Sequence, residues 1–474
     1  MRIAFISSAY RTVFFHGLEE PLAAHGHEVH WLCPGERWAR WLRGRGVSDD
    51  RILSLASHGE AWGRRREPTA EDVARLARLE RASTLSVNDL LQMDTLLMER
   101  RGRDYALRYL AVSADAVEEF FTGNRLDVVV AEQTWGIELL CGMVAELLGI
   151  PFLKPHTVRF PHGRFAFFPG HLEESAERLR ATTGEDRAAA ERELADFLGR
   201  RPQPDYVATD REVLRFNLGR LKDLASHVRE LATDPWDETS RRPPGLIADH
   251  ARQWVRKRWN RVLAPRTFRS GQHLVDRPFV YFPLHLQPEA SIDVKGRPFT
   301  NQLEIIRALS RTLPVDHALL VKEHPVALHR RTRSFYAALR AIPGVVLVDP
   351  GFPTFRVMET AALTVAITGT AAYEAALLGK PAATIAPVFF DRIVAAPRFD
   401  PYSDSLARLL GEAEPAAEGD RVEFLADLMA CSHRGVVGDA FWQPESLAPS
   451  NLALVAEGLD AWCRTAAERS SPVG

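Results

Sequence analysis

The sequence predicts an α/β protein of two doubly wound parallel sheets facing a cleft, with helical insertions. Three observations carry that prediction. A chain of 474 residues exceeds what one hydrophobic core usually organises. Short, largely apolar runs such as Leu126 to Ala131 have the character of buried parallel strands. Such runs alternate with helical periods in two separate series, near the start of the chain and again from Phe279 onward. The expected organisation is an N-terminal lobe (1–170), a helical insertion or linker (171–275), a C-terminal lobe (276–415) and helices that pack back across both lobes (416–474).

The first series opens with a strand from Arg2 to Ile6, a helix around Leu18 to Ala24, and Gly26 at the position of a helix C-cap. A strand from Glu28 to Leu32 follows. A long helical region runs from Thr69 to Phe121 with a break near Arg101-Gly102. The strand Leu126 to Ala131, the helix Ile137 to Leu148 closed by Gly149, and a strand from Ile150 to Leu153 complete the lobe. Residues His171 to Ser270 are mostly charged helix, with one candidate strand at Tyr206 to Ala208. The second series has strands at Phe279–Leu284, Ala318–Lys322, Val345–Val348, Leu363–Ile367 and Ala382–Ile385. Helices at Asn301–Leu313, Thr332–Ala341, Phe355–Ala361 and Ala371–Leu378 connect them. The run from Gly411 to Gly419 is expected to be a surface turn, and Leu447 to Ala467 an amphipathic helix.

Composition narrows the classes. The chain is 46% hydrophobic and 26% charged, as globular proteins are. A formal net charge of -2 gives no global attraction to nucleic acid. Cys33, Cys141, Cys431 and Cys463 form no CxxC pair, which argues against a disulfide framework or a zinc site and for a reducing cytoplasm. Met1 to Tyr10 lacks the apolar run of a signal peptide, and no segment reaches the roughly 18 apolar residues that span a bilayer. The expected location is the cytoplasm, with peripheral contact at the inner face of the cytoplasmic membrane.

Three strand ends carry candidate chemistry. Thr368-Gly369-Thr370 lies between an apolar strand and a helix, where small residues let backbone N–H groups approach an anion and the helix dipole favours it. Glu374, one turn further, either accepts from a ribose diol or complements the dipole. The turn is neither a GxxxxGK[ST] loop nor GxGxxG. Val321-Lys322-Glu323-His324-Pro325 places an imidazole at another strand end, with Pro325 fixing the backbone that aims it. The loop after Phe282 carries His285, Gln287, Glu289 and Ser291 between prolines, a dense set of groups for a base, sugar or phosphate.

The runs Pro283-Leu284-His285-Leu286-Gln287-Pro288-Glu289-Ala290-Ser291, Val321-Lys322-Glu323-His324-Pro325 and Thr368-Gly369-Thr370 through Glu374 to Gly379-Lys380-Pro381 resemble, in order and spacing, the capsular polysaccharide biosynthesis family. That family includes bacterial Kdo transferases of the GT-B fold. The resemblance covers Phe279 to Phe390. It implies two Rossmann-like lobes, the C-terminal one binding the donor: His324 and Thr368 to Thr370 hold the phosphate of a nucleotide-sugar and Glu374 the ribose. Known members use CMP-Kdo, and no residue here identifies base or sugar.

In the N-terminal, acceptor lobe the candidates rest on position. Glu132 follows a strand end and is the candidate base or nucleophile, with His324 the other catalytic candidate. Lys154, His156, Arg159, His162 and Arg164 read as a basic loop suited to an acidic acceptor or a donor carboxylate. His25, His27 and His30 resemble a metal cluster, but on a strand His27 and His30 point to opposite faces. No Asp-x-Asp occurs, so neither metal nor other cofactor is expected. From Arg252 to Arg269, Ala251, Trp254, Val255, Trp259, Val262 and Leu263 share a helix face beside Arg252, Arg256, Lys257 and Arg261. That face suits either an anionic membrane surface or burial between lobes.

These expectations describe a metal-independent glycosyltransferase acting from a nucleotide-sugar on a cell-surface glycan or glycolipid. A nucleotide-sugar 2-epimerase, a CDP-polyol phosphotransferase and a noncatalytic subunit of a capsule-assembly complex are the alternatives.

Overall fold

Most strands form where the sequence concentrates apolar residues, often β-branched or aromatic, and they fall into two sheets. A computed structural model describes residues 1–64, 67–201, 234, 236–238, 243–269, 275–324, 327–441 and 443–470. The N-terminal lobe contains β1 (Arg2–Ile6), β2 (Glu28–Cys33), β3 (Ile52–Ser54), β4 (Val128–Val130), β5 (Phe152–Thr157) and β6 (Arg164–Pro169). The C-terminal lobe contains β7 (Phe279–Pro283), β8 (Ala318–Lys322), β9 (Val345–Val348), β10 (Leu363–Ala366) and β11 (Ala382–Thr384). A last strand, β12 (Ser432–Arg434), returns to the first sheet, whose order is β12-β6-β5-β4-β1-β2-β3. The second sheet is wholly parallel, in the order β11-β10-β7-β8-β9.

Each order reverses once. In the first sheet β1 lies between β2 and β4, and in the second β7 lies between β8 and β10. At such a reversal the connections leave toward opposite faces, opening a crevice at the carboxyl ends of the strands. Thus the loops after β7 and β10 diverge around one crevice, and those after β1 and β4 around another.

Several elements differ from the sequence expectation. The region 69–121 is four helices: Ala70–Ala82, Val87–Met93, Thr95–Arg101 and Arg103–Gly123. Thr69 and Ser86 form capping boxes with Asp72 and Asp89, and the Asp94 side chain accepts from the Leu97 amide, so the first three helix starts are written into the sequence. Only Gly102, at φ 80°, marks the expected break. The basic loop after β5 is shorter than expected: Lys154 and His156 lie within β5, and Arg164 opens β6, which runs antiparallel to it. β12 escaped notice because Ser-His-Arg has no apolar signal; it is held by pairing with β6. The Gly411 to Gly419 run includes the end of helix Leu406–Glu412 and the start of Glu418–Ala430. Tyr206 to Ala208 lies outside the described residues.

The lobes are tied at several points. Val294, beyond β7, is buried in the N-terminal core with Leu90 and Leu97, and Arg297 pairs with Asp89 at 2.6 Å. The Tyr373 hydroxyl donates to the Phe160 carbonyl at 2.7 Å. Helix Gly184–Arg200 joins Glu418–Ala430 through Arg187 and Glu423 at 2.7 Å. The C-terminal helix Pro449–Ser470 buries Val455, Leu459 and Trp462 against the β1 and β2 layer. Its Asp460 accepts from His27 at 3.0 Å and lies 3.5 Å from His25, so these two histidines serve packing of that helix. Among the described residues no helix is long and apolar enough to cross a membrane.

Candidate functional site

The crevice at the β7–β10 reversal opens into a cavity of about 800 Å³ between the lobes. Its floor is the start of helix Thr370–Leu377, where Gly369 is the N-cap and no side chain caps the first amides. A Cβ at Gly369 would lie 3.1 Å from the His285 ring, so glycine is what lets that imidazole sit over the helix start. The His285 backbone is fixed by Gln302, whose Oε1 accepts from its N–H at 2.7 Å and whose Nε2 donates to its carbonyl at 3.1 Å. The His285 Nε2 is buried with no hydrogen-bond partner among the described residues. Burial, followed by the neighbouring His324, Arg331 and Lys295, pushes its pKa down to about 3. The ring is therefore neutral.

β8 delivers three further groups. Lys322 is buried and lines the cavity, and burial pushes its ammonium down to about 8 against the opposing charges of Asp349, Glu323 and Glu374. Glu323 also borders the cavity, but its carboxylate is engaged: it accepts from the Tyr336 hydroxyl at 2.9 Å and from the His324 N–H at 2.7 Å, which fixes the turn carrying His324. Burial, then Lys322 and Arg331, bring His324 down to about 4, so its ring is also neutral at pH 7. Pro325 lies outside the described residues.

Glu374 faces the cavity from the helix. Burial raises its pKa to about 8, although Arg159 and Lys322 oppose the rise. It is a carboxylic acid at neutral pH, able to donate as well as accept. Thr368, Gly369, Thr370, Glu289 and Ser291 also line the cavity, with the Thr368 hydroxyl donating to the Ser291 carbonyl. Gln287 does not line it. Its amide donates to Asp293 at 3.0 Å and to the Thr300 carbonyl at 3.1 Å, so it braces the loop.

Opposite stands Arg159, exposed at φ 66° between β5 and β6, with Glu173 and Lys295 beside it. Glu173 gathers Lys295 at 2.7 Å, Lys154 at 3.1 Å and His156 at 3.5 Å. Burial would raise the Glu173 carboxyl, but His156, Lys295 and Lys154 hold it well below its ordinary range. Lys154 and His156 are therefore committed to an internal carboxylate, a partner with no local sign in the sequence. A second cavity of about 160 Å³ shares Arg159, Thr370 and Glu374 with the first and adds His162 and Arg164. Arg164 is held by the Ser432 hydroxyl at 2.9 Å and by the carbonyls of Met429 and Ser432.

Glu132 lies at the other reversal point, paired with Arg11 at 2.6 Å, and is not among the residues lining the large cavity. Burial pushes its pKa up, but Arg11 and Lys154 outweigh burial and keep it below its ordinary value. Beside it Glu138 is fully buried, and burial plus the Glu132 charge raise it to about 7. The sequence showed Glu138 only as an acid early in a helix, where it accepts from the Trp135 amide at 3.0 Å. Other lining residues missed by sequence are Lys257 and Arg261 from helix Pro243–Thr267, and Asp349 to Phe355 after β9. Aromatic Phe352 on that loop was the available signal. Among the described residues no group of three or more His, Cys, Asp or Glu is placed to hold a metal.

No protein-family model matches the chain, and no curated protein matches it. Among solved structures it is similar to the Thermosulfurimonas dismutans KpsC β-Kdo 2,7-transferase, at 12% identity over 68% of this chain and 82% of that one, TM-score 0.32. It is similar to the Methanocaldococcus jannaschii UDP-GlcNAc 2-epimerase in complex with UDP-GlcNAc and UDP, at 12% identity over 90% and 99%, TM-score 0.29. It is also similar to the Streptomyces sp. SF2575 glycosyltransferase SsfS6 complexed with thymidine diphosphate, at 14% identity over 96% and 99%, TM-score 0.23. Likenesses this distant leave the chemistry to be argued from the residues of the chain.

Proposed function

We propose that the chain is a GT-B-type glycosyltransferase that moves a sugar from a nucleotide donor to a cell-surface glycan or glycolipid. The observation that supports this most is the meeting, on one wall of an interlobe cavity, of the uncapped helix start at Gly369-Thr370 with Lys322, His285, His324 and Glu374. The helix amides and the Lys322 ammonium attract a phosphate, and neutral His285 and His324 donate single hydrogen bonds without competing charge. Glu374, protonated at neutral pH, can both donate to and accept from a ribose diol. As the sugar leaves, negative charge grows on the phosphate, where these groups stabilise it most; this is catalysis by preorganised electrostatics. The positive charge comes from Lys322 and the helix start, so the proposed reaction is metal-independent.

On the acceptor side Glu132 is ionised at pH 7, but its lowered pKa makes it a weak base. Its proposed role is to orient an acceptor hydroxyl. If the donor is CMP-Kdo, as the family resemblance suggests, Arg159 is the cation proposed for the sugar carboxylate.

The test is a thermal-shift panel of CMP, CDP, UDP, GDP and dTDP. A ligand at about 100 times its Kd stabilises the native state by about 2.7 kcal/mol. One nucleotide should stand out, and His324→Ala, folded to the same melting temperature, should lose most turnover with the corresponding sugar donor. Full turnover in that variant removes His324 from the mechanism. Conversion of the donor without acceptor would make the protein a 2-epimerase, and a phosphodiester product a polyol-phosphate transferase. The absence of any nucleotide shift would favour a noncatalytic assembly subunit.

A further inference from the structure

Helix Pro243–Thr267 presents two different flanks. Asn260, 4% exposed, donates to the carbonyls of Leu328 at 2.7 Å and Arg331 at 3.0 Å, and Arg256 donates to the Arg330 carbonyl at 2.8 Å. These bonds fix the rotation of the helix. On its inner side Lys257, Arg261 and Ala264 line the interlobe cavity. On its outer side Trp254 is 65% exposed, Val255 46%, Trp259 53% and Val262 64%. The tryptophan face that could have been buried between lobes therefore points outward.

Large apolar side chains at helical spacing rarely stand in water without a partner. The charges around them indicate which partner. The chain as a whole carries a formal charge of -2. Yet Arg252, which pairs with Asp249 at 3.4 Å, Arg258 and Arg266 are all exposed on this helix around the tryptophans, and Arg333 lies over the Trp259 ring at 5.8 Å. Indole rings favour the boundary between headgroups and acyl chains, and arginines beside them attract anionic headgroups.

We propose that this face docks on an anionic lipid bilayer, seating Trp254, Val255, Trp259 and Val262 in the headgroup region. Because the same helix contributes Lys257 and Arg261 to the cavity wall, docking brings the cavity to the membrane surface. The inference stands apart from the glycosyltransferase proposal, since it needs no nucleotide.

Vesicle co-sedimentation of the full chain tests it. The protein should pellet with phosphatidylcholine vesicles containing phosphatidylglycerol, and much less with phosphatidylcholine alone. Binding should fall sharply in about 1 M salt, where the screening length is about 3 Å. The double variant Trp254→Ala, Trp259→Ala changes only exposed side chains, so it should keep its melting temperature while losing about tenfold or more in vesicle partitioning. Equal binding by the variant, or no dependence on anionic lipid, overturns the proposal. So does a change of oligomeric state in the variant with vesicle binding intact, which would make the face a protein interface.

Discussion

Raising the pH from 7 to 9 should weaken nucleotide binding about a hundredfold, and only about tenfold in Glu374→Gln. Glu374 and Lys322 line one wall and each titrates near 8, the carboxyl raised and the ammonium lowered chiefly by burial. At pH 7 the acid is neutral and the lysine charged; at pH 9 the acid is negative and the lysine neutral. The local charge thus passes from about +1 to about −1. A bound phosphate disfavours a nearby carboxylate and favours an ammonium, so the complex keeps both protons to higher pH. Affinity then falls for each group by the factor 1 + 10^(pH − pKa), about 1.1 at pH 7 and about 11 at pH 9. Two groups give about 100, or about 2.8 kcal/mol. The neutral histidines, at about 3 and about 4, contribute nothing over this range. Isothermal titration at pH 8 in buffers of different ionisation enthalpy counts the protons directly. The wild type should take up about one proton per nucleotide and Glu374→Gln about half of one. Affinity that is flat to pH 9 with no proton uptake would refute this account of the site, as would an unchanged loss in the variant.

Lys322→Met should separate stability from function. A buried lysine titrating near 8 instead of its ordinary 10.5 costs the native state about 3 kcal/mol while it is charged. The sign follows from the lowered pKa: the cost is full below pH 8 and disappears above about 10.5. The variant should therefore gain up to that amount in urea denaturation at pH 7, the gain vanishing toward pH 11, while nucleotide binding falls at least tenfold. A variant less stable at pH 7 would contradict this. Glu132→Gln leaves the Arg11 guanidinium, which is 10% exposed, without its carboxylate partner. Because the Glu132 side chain is 28% exposed, the cost should be about 1–3 kcal/mol. An unchanged urea midpoint would mean that the pair contributes nothing.

Much of the cavity wall was legible in the sequence because its signals are local. An apolar run ended by Thr368-Gly369-Thr370 or by Lys322-Glu323-His324 announces a strand end, and parallel sheets place strand ends on one edge. Helix starts are equally local, and the capping box at Ser86 and the cap at Asp94 mark two of the three breaks in the first helical region. What the sequence does not carry is the set of neighbours each charge meets after folding. Arg11 meets Glu132 across 121 positions, and Glu173 draws Lys154 and Lys295 from the two lobes into one cluster. Those distant contacts hold Glu132 ionised and occupy the cations that looked free, while burial keeps Glu374 protonated. Periodicity likewise placed Trp254 and Trp259 on one helix face, but only the bonds of Asn260 to the carbonyls of Leu328 and Arg331 decided that this face turns toward solvent. Residue spacing fixes elements because backbone geometry repeats over a few residues; solvation and electrostatic partners are settled only when remote segments pack together.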